Sequence, residues 1–160
     1  MKKIFTLFAA VFFAASINAQ TSYVFDEATG TAGGSAKSTA YKFLCGDQTF
    51  TLDNDKSKTY DLGTAIGTNT NKTIKYSAAV WTVTIPTGVS ISSITFEGYG
   101  NDADTAGSIS DINGTDVTSN NFTFNAGKNP ANSTKYDYKF TTPVTGTLTF
   151  TVKAKQICAY

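Results

Sequence analysis

Apolar and polar residues alternate one for one along much of this chain, and a period of two sends successive side chains to opposite faces of an extended strand. From Gly146 to Lys153, Leu148, Phe150 and Val152 point one way while Thr147, Thr149, Thr151 and Lys153 point the other. Lys135 to Phe140 sets Tyr136, Tyr138 and Phe140 against Lys135, Asp137 and Lys139. Phe50 and Leu52, Phe122 and Phe124, and Ala79, Trp81, Val83 and Ile85 form further one-faced sets. Ile94 and Phe96 follow, and Gly98-Tyr99-Gly100 is read as the end of that run. Weaker strands are expected at Tyr23–Phe25, Tyr41–Cys45, Thr73–Ser77, Ser108–Ile112 and Gln156–Tyr160. Strands that are polar on one face belong in antiparallel sheets with one wet side, so the expected fold is all-β: a two-sheet antiparallel sandwich of jelly-roll type.

The first nineteen residues follow a different rule. Lys2 and Lys3 precede an apolar run from Ile4 to Ala15, and Ser16-Ile17-Asn18-Ala19 supplies a polar break and a small residue. This is the pattern of a secretory signal peptide, too short to span a bilayer, with cleavage expected before Gln20. The chain is therefore expected to be secreted or periplasmic, with no membrane anchor. Residues 20–39 read as an N-terminal strand and a flexible Gly/Ala/Ser/Thr segment, and residues 40–160 as the sandwich domain.

Composition narrows the chemistry. There is no histidine, so Ser-His-Asp, Cys-His and histidine-ligated metal sites are excluded. All 13 basic residues are lysines, and with Lys2 and Lys3 removed the acids outnumber them by one, which argues against a nucleic-acid partner. Glu27 and Glu97 are the only glutamates. A carboxylate-based glycosidase or lyase built on aspartates remains the third-ranked class, because nothing singles out a pair. The expected protein is not an enzyme.

Lys75-Tyr76-Ser77, Ile94 to Asn101, Ile112-Asn113-Gly114-Thr115, Pro143 to Phe150 and Lys155-Gln156-Ile157-Cys158 together resemble a β-sandwich module of secreted Bacteroidetes proteins. The likeness covers roughly the C-terminal half and carries strand and turn signatures with no catalytic motif. It implies a carbohydrate-binding-module-like architecture, an accessory role beside polysaccharide-degrading or cell-surface proteins, and a last strand that continues beyond Tyr160. A fold does not fix a function.

The loop expected from Gly98 to Gly107 concentrates the candidate binding residues. Tyr99 offers a stacking ring, and Asn101, Asp102 and Asp104 offer oxygens to sugar hydroxyls or to a structural calcium ion. The bland alternative makes Tyr99 an anchor for its own turn. Asp53 to Asp61 also spaces oxygens like a calcium loop but lacks the glycine and bidentate glutamate of an EF-hand. Trp81 shares a face with Val83 and Ile85, which places it in the core. Asp104-Thr105-Ala106 resembles the O-glycosylation signal of exported Bacteroidetes proteins, making Thr105 the modification candidate. Cys45 and Cys158, the two cysteines, would form a disulfide if the first and last strands lie side by side; otherwise each is a small buried hydrophobe.

The functional expectation is a non-catalytic module that binds a polysaccharide, a cell-surface glycan or another surface ligand. The alternative is a structural spacer or adhesin unit without a small-molecule ligand. An exposed row of aromatic rings favours the first; a Thr/Lys/Asn surface favours the second.

Overall fold

The computed structural model describes residues 21–25, 30–32, 37–38, 41–56, 60–64, 73–155 and 157–159. The expected signal peptide lies outside them. Fourteen strands are described: β1 (Gly30–Ala32), β2 (Lys37–Ser38), β3 (Tyr41–Cys45), β4 (Gln48–Asn54), β5 (Tyr60–Thr64), β6 (Thr73–Tyr76) and β7 (Val80–Thr84), then β8 (Ile91–Gly100), β9 (Gly107–Ile112), β10 (Thr115–Asp116), β11 (Thr123–Phe124), β12 (Thr134–Val144), β13 (Thr147–Ala154) and β14 (Ile157–Ala159). Two single-turn 3-10 helices lie between β10 and β12.

The strands form two antiparallel sheets. One runs β1-β3-β4-β7-β13-β9-β10, with β11 also paired to β9; the other runs β12-β8-β14-β6-β5-β2. The all-β, two-sheet architecture expected from the alternation is the one the chain forms. Aromatic rings join the sheets. Tyr76 of β6 lies edge-on to Trp81 of β7 at 5.0 Å and to Phe150 of β13 at 5.6 Å, and Phe96 of β8 meets Phe150 at 5.1 Å. Such edge-to-face pairs place the positive ring edge on the negative π face. The indole N–H of Trp81 donates to the Ser77 carbonyl at 2.9 Å, which satisfies the one polar atom of the largest core side chain.

Register carries the alternation across the larger sheet. Thr51, Thr84 and Thr147 stand directly opposite one another on β4, β7 and β13, and Asp53, Thr82 and Thr149 form the next row on the same face. Leu52, Val83 and Leu148 fill the row between them on the buried face. Threonine suits the wet side of such a surface because its branched Cβ fits the pleat while its hydroxyl meets water.

Three expectations change. Gly98-Tyr99-Gly100 does not open the loop expected from Gly98: it forms the last three residues of β8, and the Gly100 N–H donates to the Asn125 carbonyl at 2.9 Å. Glycine stands at Gly100 because a Cβ there would meet the Phe124 and Asn125 carbonyl oxygens at 2.9 and 3.0 Å. Tyr23–Phe25 joins no sheet, although its side chains pack on the core. Finally, β1 and β2 fall within the stretch expected to be flexible, where they pair with β3 and β5.

The two cysteines occupy different sheets, Cys45 closing β3 and Cys158 lying in β14, so the side-by-side strands assumed for a bridge are not found. Cys45 is a buried thiol that donates to the Val24 carbonyl at 3.3 Å. The Cys158 side chain lies outside the described residues.

Candidate functional site

The ligand loop expected from Gly98 to Gly107 begins only at Asn101, directly after β8. Tyr99 is not in it. The ring is fully buried within β8, between Gly98 and Gly100, and presents no surface to a sugar. Asn101 and Asp102 are half-buried, while Asp104 and Thr105 are exposed. Asp102 organises the turn: its Oδ1 accepts the backbone N–H of Asp104 at 3.2 Å and of Thr105 at 2.9 Å. Its Oδ2 faces the Lys155 ammonium at 3.3 Å. The Asp104 backbone N–H, joined by that of Thr105 and by Lys155, holds the Asp102 carboxyl below its ordinary value. A lysine therefore already stands where a calcium ion would draw on Asp102. Among the described residues, no three His, Cys, Asp or Glu side chains come together as a metal site. Thr105 remains open to a modifying enzyme.

The other oxygen-rich run is spent in the same way. Asp53 accepts the Asn54 N–H at 2.7 Å, Asn54 accepts the Lys56 N–H at 3.3 Å, and Asp55 accepts the Val80 N–H at 2.9 Å. Its last members, Tyr60 and Asp61, open β5.

A groove that the sequence reading missed encloses about 920 Å³. That is the size of a small-ligand site. Phe50, Val83, Leu148 and Phe150 of the larger sheet form its floor, and Ile94 and Phe96 of β8 face them. Ser92, Ser93, Thr95 and Glu97 supply a polar rim, with Thr21–Phe25 along one side. Tyr23 packs on Phe50 at 4.9 Å, and Phe25 stacks on Phe43 at 4.6 Å.

The two sides of β8 are paired to different lengths among the described residues. On one side β8 pairs with β12 along nearly its whole length, Thr134 opposite Gly98 through Val144 opposite Ile91. On the other, β14 covers only Gly98, Tyr99 and Gly100. The described part of β14 stops there, and among the described residues nothing pairs with Ile91–Glu97 on that side. On the outer face, Thr95 donates to Asp137 at 2.6 Å and Lys135 lies 3.8 Å from Glu97, each pair directly opposed across β8 and β12. The sequence signal was Ser90-Ile91-Ser92-Ser93-Ile94, whose serines mask an otherwise regular strand.

Comparison with known proteins adds no relative: no family model, curated protein or solved structure matches the chain.

Proposed function

We propose that the chain is an exported, non-catalytic β-sandwich that serves as a structural unit of a surface or envelope assembly. The observation that carries this reading is where the aromatic rings go. Every described aromatic side chain whose exposure is known is buried or half-buried, and among the described residues the only exposed large hydrophobics are Val24 and Leu44. Sugar recognition by stacking needs an open ring face. The broad outer face of the larger sheet instead carries Thr51, Thr82, Thr84, Thr147 and Thr149 beside Lys42 and Asp53, a hydrated surface suited to a spacer. Glu97 is the one carboxylate among the described residues lining the groove. Two-carboxylate glycosidic chemistry needs a facing pair, which supports the non-catalytic assignment.

A second reading is favoured by the groove itself, where half-buried Tyr23 and Phe25 meet a serine-rich rim. In that reading a glycan chain lies along Ser92 and Thr95. The test is retention of the mature chain, Gln20 to Tyr160, on plant, host and microbial polysaccharides, beside a Ser92→Trp variant that fills the groove. The structural reading expects no retention of either protein. Retention of the wild type that Ser92→Trp abolishes establishes glycan binding and overturns it.

A further inference from the structure

We infer that β12 is an assembly edge, and that its partner is β12 of a second copy, laid antiparallel about a two-fold axis through Tyr138. The inference rests on the structural reading above and names the contact through which such a unit would assemble.

A sandwich can be extended at the edges of its sheets, and short edge strands are a common guard against it. Among the described residues the larger sheet ends on β1, of three residues, and on β10 and β11, of two each, while one end of the smaller sheet is β2, of two. The remaining edge is β12, with eleven. It pairs with β8 on one side, and no described strand runs along the other. Its neighbours in the chain, β11 and β13, belong to the larger sheet, and β14 flanks the opposite side of β8.

What β12 presents there is complementary to itself. On the outer face Lys135 lies near Glu97, and Asp137 accepts the Thr95 hydroxyl. Among the described residues no ammonium pairs with Asp137 and no carboxylate pairs with Lys139, which stands opposite Ser93. On the inner face Tyr136 is engaged by its own core, through its hydroxyl on the Thr123 carbonyl and its ring against Phe122 and Phe124. Tyr138 and Phe140 meet edge-on at 5.1 Å and are only half-buried. Antiparallel pairing about Tyr138 sets Asp137 of each copy opposite Lys139 of the other. The same register sets Tyr138 against Tyr138 and Tyr136 against Phe140, so the half-exposed rings cover one another. An axis through Asp137 would oppose Lys135 to Lys139 and Asp137 to itself, and like charges reject that register. An axis through Tyr136 would draw Lys135 away from Glu97 and leave Lys139 opposite Ser133. The pairing spans Thr134 to Thr142, roughly 30 Å of backbone, and stops before Pro143, which has no N–H to donate. Each copy uses the same edge, so the contact is isologous and closes at two copies.

The test uses the mature chain, with light scattering after size exclusion under reducing conditions, and exchanges charge across the two-fold. The wild type is expected to pass from one copy to two as concentration rises, and no further. Asp137→Lys sets a second ammonium against Lys139, and Lys139→Asp sets a second carboxylate against Asp137. Each alone is expected to weaken self-association roughly tenfold or more. Mixing the two variants restores a one-to-one complex, because each then meets the opposite charge. That recovery also separates the register from misfolding of either variant. A wild type that stays monomeric at millimolar concentration overturns the inference. So do single variants that pair as well as the wild type, a mixture that forms no complex, or wild-type growth beyond two copies. Polysaccharide retention tests the structural reading by itself: a chain that stays monomeric and is retained on no glycan overturns this inference and leaves that reading standing.

Discussion

Replacing Gly100 by alanine tests the most consequential difference between reading and structure, the continuation of β8 through Gly98-Tyr99-Gly100. Gly100 does not have a positive φ, so alanine is conformationally permitted there. In a loop the substitution would be neutral, or would stabilise by about 0.4–1 kcal/mol by restricting the unfolded chain. In the structure the new Cβ meets the Phe124 oxygen at 2.9 Å, the Asn125 oxygen at 3.0 Å and the Gly107 nitrogen at 3.2 Å, all backbone atoms. Ordinary contact begins near 3.4 Å, so at least two strands must separate by about half an ångström. The same movement stretches the Gly100–Asn125 hydrogen bond. Overpacking of this kind costs about 1–3 kcal/mol. For a domain of this size that lowers the melting temperature by roughly 3–12 °C. Urea denaturation and calorimetry of the mature protein measure it. A Gly100→Ala protein that melts at or above the wild type refutes the close approach, and with it the strand.

Tyr99→Ala should lower unfolding free energy by about 3–5 kcal/mol in urea titration, the cost of emptying a buried aromatic site, and should leave polysaccharide retention unchanged. Asp102→Asn should flatten the acid limb of the stability curve. The native carboxyl titrates below its unfolded value, so its contribution is present above about pH 4 and is lost as pH falls through the depressed native value, as thermal melts at successive pH values will show. Tyr136→Phe removes the hydroxyl that donates to the Thr123 carbonyl at 2.6 Å and should cost about 1 kcal/mol by the same titration. Thiol labelling without reductant should count two cysteines in guanidinium, with Cys45 slow to react in the native protein; a count of zero would establish the bridge to Cys158.

The legible parts of the fold were those where local pattern and tertiary burial agree. Thr147 to Lys153 and Gln48 to Leu52 alternate without interruption, and both strands bury the expected face. Trp81 was placed in the core by register alone and is fully buried. Misreadings arose where a distant neighbour decides. Glycine beside Tyr99 signals a turn locally, but here it admits the Phe124–Asn125 backbone, a contact that no window around Gly100 contains. The strand at Tyr60–Thr64 was hidden because its first two residues close an oxygen-rich run. The two-residue strands β2 and β10 are held by their partners rather than by their own propensity. The groove was illegible for a similar reason: its walls come from β4, β7, β8 and β13, segments far apart in sequence that meet only in the fold.

Solvent access to the aromatic rings tests the central claim, a sandwich whose described rings are turned into the core, most directly. Trp81 is the one tryptophan and is fully buried, so its emission reports on that core alone. The account predicts blue-shifted native emission that acrylamide barely quenches and that polysaccharides leave unchanged, moving to the red in guanidinium. Native emission that is already red and readily quenched, or that a polysaccharide protects from quenching, would contradict it.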